Sequence, residues 1–260
     1  MSTRQIKAVV IGVVMIVLGN GEAYPQPKLS DSCATSSGLG PKERQDGFFV
    51  APRGLDCNPG TKSLPKATFQ GAVEAVRAYK QSNDLPEDGL NVYFRGGTYL
   101  IESSISLGEL DNGNPHTPII YRNYPGEQVI LTGNGVLDED MITLGDVSNV
   151  VIMNMTLRDG LQSAISTNHW SSSAVELSQQ ENVVLDNLIV RGFHMDGIRL
   201  RGKNNTIKNC HIHDLGQRAV LLNGGDLDTL EPANNVLENT RIENTTTTRH
   251  IGRGGLGGSH

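Results

Sequence analysis

Between Glu176 and Arg218 the chain gathers side chains that could do chemistry: Glu176, His194, Asp196, Arg199, His213, Asp214 and Arg218. They place carboxylates, imidazoles and guanidinium groups within three successive units of the sequence. A guanidinium holds an anion through parallel N–H donors, an imidazole exchanges a proton near neutral pH, and a carboxylate positions a hydroxyl or a hard cation. The same residues also suit a structural surface, since Asp196-Gly and Asp214 fit turns and solvated His and Arg are ordinary on an outer face. Further along, Asp226, Asp228 and Glu231 form an acidic insertion that could hold Ca²⁺. Its spacing matches no EF-hand loop and equally describes a solvated loop. Gly252-Arg-Gly-Gly-Leu-Gly257 satisfies GxGxxG only formally, because neither a strand before it nor a helix after it is indicated. No CxxC or Cys/His spacing points to zinc.

The elements that must position these residues come from a repeat. Four segments align without gaps: Asn149 to Leu157, Asn182 to Val190, Asn204 to Ile212 and Asn234 to Ile242. Each has Asn, an aliphatic residue three later, a second Asn five later and an aliphatic residue eight later. Their starts are 33, 22 and 30 residues apart, as expected for a unit near 22 with loop insertions. A further strand signal follows in Ser173–Leu177, Asp196–Leu200 and Arg218–Leu222, with an earlier relative in Asp140–Leu144. Each unit therefore predicts three short strands. Alternation then stacks Ile152, Leu185, Ile207 and Leu237, then Met155, Leu188, Cys210 and Thr240, and finally Leu157, Val190, Ile212 and Ile242. One unit cannot bury such a face alone, whereas stacked units make a continuous core.

The repeated Asn suits a sharp bend, since Asn tolerates left-handed backbone angles and its amide can bond its counterpart one strand away. These features predict an all-β chain folded as a parallel β-helix. An antiparallel sandwich would also alternate, but would not require Asn at matched positions. Phe69, Val73, Val76 and Tyr79 predict an amphipathic helix over about 66–81, which would cover the open N-terminal end of the core. Glycine, at 30 of 260 residues, belongs at coil corners such as Gly96-Gly97 and Gly224-Gly225. The chain reaches His260 where another Asn-led strand is due, which predicts a C-terminally truncated solenoid.

Composition narrows the partners. A formal net charge of −6 and an aromatic content of 5% with the single Trp170 argue against a nucleic-acid surface, which needs counterion-displacing cations or stacking platforms. Arg4 and Lys7, then an apolar run from Ala8 to Leu18 and small residues through Ala23, form the pattern of a secretory signal peptide over 1–23. At about 11 residues the run is short of the roughly 20 that span a bilayer, so cleavage rather than a stable membrane anchor is expected. In an exported protein Cys33 and Cys57 could pair within an irregular segment over 24–46 and just beyond it. Cys210 lies in an apolar alternation and is expected in the core. Three Asn-x-Thr sequons, at Asn154, Asn204 and Asn244, would matter only in a eukaryotic secretory pathway.

Several motifs carry a family resemblance. Phe48-Phe-Val-Ala-Pro-Arg-Gly-Leu-Asp-Cys-Asn-Pro-Gly-Thr61, Pro65-Lys-Ala-Thr68, the helix and Val92-Tyr-Phe-Arg-Gly-Gly-Thr-Tyr99 resemble the opening module of secreted right-handed parallel β-helix proteins. These include polysaccharide lyases of the pectate- and alginate-lyase-like kind. Pro118 to Glu127 is similar to their first coil, and Asn209 to Asp214 and Gly224 to Pro232 to later coils, so the resemblance covers residues 47–260. It implies an acidic polysaccharide cleaved by β-elimination, with Ca²⁺ or Arg neutralising the uronate carboxylate and a basic side chain removing the adjacent proton. In one groove along the last strand of each coil and its preceding turn, it implies Arg199 and Arg218 for carboxylate binding and His194 or His213 for proton transfer. Asp196, Asp214 and Glu176 would contact substrate or a metal. The family's catalytic Lys, the Asn-and-two-Glu metal set and the polygalacturonase Asp pair with Gly-His-Gly find no match here. A non-catalytic extracellular-matrix or glycan-binding solenoid therefore stands beside the lyase as the alternative.

Overall fold

The computed structural model describes residues 47–167, 180–224 and 231–245, and the backbone of Leu256–Ser259. The expected signal peptide, the 24–46 segment, Cys33, Trp170, Ser173–Leu177 with Glu176, Asp226, Asp228 and most of the Gly252–Gly257 run fall outside these residues.

Among the described residues the strands form three sheets, and every strand-to-strand pairing within them is parallel. The first sheet runs Phe48–Val50, Leu90–Phe94, Ile119–Asn123, Val150–Met153, Val184–Asp186, Thr206–Lys208 and Val236–Glu238. The second runs Gly97–Leu100, Val129–Thr132, Thr156–Gly160, Ile189–Phe193, His211–Leu215 and Arg241–Glu243. The third runs Ile105–Leu107, Ile142–Leu144, Ile165–Thr167, Ile198–Lys203, Val220–Asn223 and Leu256–Ser259. The chain visits the sheets in turn, so one strand from each makes a coil and the whole is the parallel β-helix expected from the repeat.

Register confirms the first and third of the predicted stacks. Val92, Tyr121, Ile152, Leu185, Ile207 and Leu237 are successive partners in the first sheet, and Tyr99, Leu131, Leu157, Val190, Ile212 and Ile242 in the second. Ile105, Ile142, Ile165, Ile198 and Val220 do the same in the third. All but Leu237 and Ile242 are buried, which at about 1.5–3 kcal/mol per aliphatic side chain is the main stabilising term. One strand departs from expectation. The coil that starts at Asn149 closes with Ile165–Thr167, paired with Ile142–Leu144 and Ile198–Lys203, ahead of the Ser173–Leu177 segment. Its lone aliphatic residue makes too short an alternation to be read as a strand.

The aligned asparagines sit where the chain turns. Asn149, Asn154, Asn182, Asn187, Asn204, Asn209, Asn234 and Asn239 all have φ between 44° and 58°, a left-handed angle that costs most L-residues about 1–2 kcal/mol. Some also bond along the stack, with Asn182 donating to Asn149 at 3.1 Å, Asn187 to Asn154 at 2.9 Å and Asn239 to Asn209 at 2.6 Å. Asn209 breaks this inner ladder by donating to Asp186 instead, at 2.8 Å.

The helix, α1, spans Phe69–Lys80, inside the predicted bounds. Thr68 caps it by accepting from the Gly71 N–H at 2.9 Å, and Asp56 accepts from the Ala67 and Thr68 N–H groups. Phe69 stacks on Tyr121 with centroids 4.8 Å apart, so the buried face of α1 continues the core. At its far end Arg77 grips the fully buried Asp111 with two hydrogen bonds of 2.8 and 2.7 Å.

Candidate functional site

In a regular strand neighbouring side chains point to opposite faces. The second sheet breaks this rule at one recurring place. Asp159, Gly192, Asp214 and Asn244 occupy equivalent positions and have φ of 60°, 70°, 54° and 50°. The left-handed residue re-aims the chain, so His213 and Asp214 are neighbours on one face while Ile212 and Leu215 are buried. Gly192 fits where an added Cβ would stand 2.7 Å from Asp159 Oδ1.

The residues just before this corner form an outward row. Arg158, Arg191, His213 and Glu243 are register partners in four consecutive coils, with strands about 4.8 Å apart. His213 Nδ1 lies 2.7 Å from Asp214 Oδ2, and Asn244 donates to Asp214 Oδ1 at 3.2 Å. Hydrogen bonds from His213, then from Asn244, hold the Asp214 carboxyl below the usual carboxylate range. An ionised Asp214 keeps the ring proton on Nδ1 and leaves the Nε2 lone pair free. The His211 ring lies 4.3 Å from that of His213, and its Nε2 is 2.7 Å from Glu243 Oε1. Arg158 approaches Asp159 at 3.4 Å, but its buried Nε has no hydrogen-bond partner. The arrangement is an oriented imidazole base beside two guanidinium groups.

A second ionic group sits at the corner before the third sheet. Asp196 is 1% exposed and accepts from Arg218 three times, from Nε at 2.9 Å, Nη2 at 2.8 Å and the backbone N–H at 3.1 Å. Arg199 lies 3.9 Å from Asp196 and 3.5 Å from Asp140. Asp140 also takes the Ser163 N–H at 2.8 Å and the Ser166 hydroxyl. Two arginines and two aspartates thus balance one another across three coils.

Six of the seven expected residues are described, and these six do not lie along one strand row. The structure brings Asp196, Arg199 and Arg218 together before and on the third sheet, and places His213 and Asp214 on the second. Strict alternation does not give this arrangement, because the left-handed Asp214 lies inside strand His211–Leu215. His194 is exposed in the turn between the two sheets, and its backbone N–H donates to Gly160 at 3.2 Å. Glu176 falls outside the described residues. Arg158 and Arg191 were not anticipated, although each lies four residues after an inner Asn, at the same offset as His213.

The described residues offer Ca²⁺ no cluster of acidic side chains. None of them form a group of three or more His, Cys, Asp or Glu side chains able to hold a metal. Asp196 and Asp214 already spend their oxygens on Arg218, His213 and Asn244, and Glu231 is exposed without Asp226 or Asp228 being described. Cys57 is disulfide-bonded, and Cys210 is a free, buried thiol as expected.

Comparison with known proteins places the fold. The uncharacterized protein YwoF of Bacillus subtilis (strain 168) is 25% identical over 219 residues, which cover 75% of this chain and 42% of YwoF. The chain thus spans less than half the length of that relative. A solved glycoside hydrolase superposes with a TM-score of 0.57 at 10% identity, covering 72% of this chain and 68% of the other. The crystal structure of pectate lyase Pel9A aligns with a TM-score of 0.46 at 12% identity, covering 69% and 55%. The description "Pel9A-like, right handed beta helix region" matches residues 48–255, and the chain belongs to that family of right-handed parallel β-helices.

Proposed function

We propose that this protein is a carbohydrate-active enzyme that cleaves an acidic polysaccharide by β-elimination at the second-sheet row. The observation that carries the reading is the Asp214–His213 pair at 2.7 Å, in register with Arg191 and Arg158 in the preceding coils. Membership in a family named for Pel9A, itself a pectate lyase, supports a polysaccharide substrate. A coil spacing of about 4.8 Å is close to the length of one pyranose residue, so adjacent rungs can meet adjacent sugars. Arg191, with Arg158 beyond it, faces the uronate carboxylate and draws charge away from the carbon next to it. His213 Nε2 takes the proton from that carbon. The C–H electron pair becomes the new carbon–carbon double bond, the bond from the β carbon to the glycosidic oxygen breaks, and that oxygen leaves with its electron pair and takes a proton from water. Asp214 orients the imidazole and stabilises its protonated form. No step is routed through a metal.

We further infer that the protein works outside the cell. The N-terminal signal pattern and the bonded Cys57 support this, since disulfides persist in oxidising compartments.

The test is incubation with pectate, alginate and glycosaminoglycans while following ultraviolet absorbance of the unsaturated product. His213→Ala should lower the rate by about 10²–10⁴-fold, the range for a lost general base, with the fold intact by circular dichroism. Full activity in His213→Ala refutes the assignment. Retained polymer binding by a wild-type protein that yields no product on any of the three would favour the purely binding alternative.

A further inference from the structure

The outer face of the first sheet carries a feature that the second-sheet row does not use. Phe49 and Tyr93 are register partners in the first two strands, stacked with centroids 5.4 Å apart. Tyr124, just after the third strand, stands edge-on to Tyr93 at 5.9 Å and 73°. Together they wall a cavity of about 440 Å³ whose rim includes Lys62, Asp88 and Asn91. Five Phe and six Tyr serve the whole chain, so three aromatic rings on the outside of three successive rungs are a concentrated use of them. Core packing does not account for it, because Tyr93 and Tyr124 stay partly exposed.

The charges around these rings are unevenly compensated. Arg95 lies 4.9 Å from the Tyr124 centroid but is held by Glu127 at 2.7 Å. Lys62 lies 5.2 Å from the same centroid and donates to Tyr124 Oη at 3.1 Å, and it makes no ion pair among the described residues. Arg122 lies 6.0 Å from the Tyr93 centroid, likewise without an ion pair among the described residues, and its buried Nε has no hydrogen-bond partner. Two perpendicular aromatic walls, an amide and a carboxylate at the rim, and a cation at the mouth have a specific chemical complement. The axial C–H bonds of a pyranose are weakly positive and pack on the electron-rich face of an aromatic ring. Its hydroxyls suit Asn91 and Asp88, and a carboxylate on the ring suits Lys62.

We propose that this cavity is a saccharide subsite that takes a uronic-acid pyranose, packed between the Tyr124 and Tyr93 walls with its carboxylate on Lys62. The ligand class overlaps with the proposed function, but the residues do not, so either site can fail alone. Titration calorimetry of the full chain with trigalacturonate and with neutral cellotriose tests it, beside His213→Ala, Tyr124→Ala and Lys62→Met. The expected result is that wild type and His213→Ala share a trigalacturonate-binding event, that Tyr124→Ala weakens that event at least about 10-fold, and that Lys62→Met weakens it for trigalacturonate but not for cellotriose. Lys62 is exposed, so its variant leaves folding intact even if Tyr124→Ala is destabilised. Unchanged affinity in Lys62→Met, loss of binding in His213→Ala, or no binding by wild type overturns the proposal. A barren lyase assay with intact Lys62-dependent binding would sink the second-sheet reading and leave this one standing.

Discussion

Replacing Arg218 by Ala separates a guanidinium that holds the corner together from one that holds substrate. Asp196 is 1% exposed and receives two of its hydrogen bonds from the Arg218 side chain, and Arg199 at 3.9 Å is too far to take them over. The variant leaves a buried carboxylate with one backbone donor. Breaking a buried pair from one side costs about 3–5 kcal/mol. Because the Arg218 side chain is 26% exposed and water can enter its place, the low end, about 3 kcal/mol, is expected. For a domain of this size about 1 kcal/mol moves Tm by about 2–4 °C, so Tm should fall by about 6–12 °C in a calorimetric scan. Asp196→Ala/Arg218→Ala should recover part of that loss, since the unpaired charge is gone. A fall in Tm of less than about 2 °C, or two single losses that simply add, would refute the reasoning. A residue confined to carboxylate binding would instead raise KM and leave Tm in place.

Other outcomes follow from the same geometry. Asp214→Asn keeps a residue that tolerates the 54° φ but not the negative charge behind the imidazole; it should lower kcat and reshape the pH–rate profile while Tm stays near wild type, whereas an unmoved profile would remove Asp214 from the mechanism. The Arg95 guanidinium, and then the Gly96 N–H, hold Glu127 below its ordinary value of 4.5. Its contribution is therefore complete above that pH and is lost as pH falls through the depressed value. A Glu127→Gln chain should lack that component of the acid-side stability loss, and identical acid titrations would contradict it. Burial pushes the Cys210 thiol up to about 11, so native protein at pH 8 should react with a disulfide reagent at Cys210 only as fast as it opens. Rapid labelling without denaturant would show that the thiol is not sealed in the core.

Much of the solenoid was legible before any coordinates. Asn at matched positions and aliphatic residues three and eight places after the first Asn survive insertions of any length, because each coil must turn at the same place and bury the same face. That is why Ile152, Leu185, Ile207 and Leu237 could be stacked in advance. Ile165–Thr167 was illegible because one aliphatic residue beside small polar ones makes no alternation.

The candidate residues divide along the same line. Their types and their presence in adjacent coils were sequence-level facts, and so was the offset from the inner Asn that Arg158, Arg191 and His213 share. Which of them meet was decided by the backbone. A left-handed Asp214 inside a strand brings two consecutive side chains to one face, something that no period-two reading can anticipate. The partner of each charge was likewise settled only in three dimensions, since Asp196 and Arg218 are 22 residues apart in the chain yet occupy neighbouring rungs. The sequence alone determined a stack of coils with an ionisable outer face. The tertiary structure decided that Arg199 is tied to Asp140 and Arg218 to the buried Asp196, that His213 is oriented by Asp214, and that the aromatic rings of the opening coils close around a cavity.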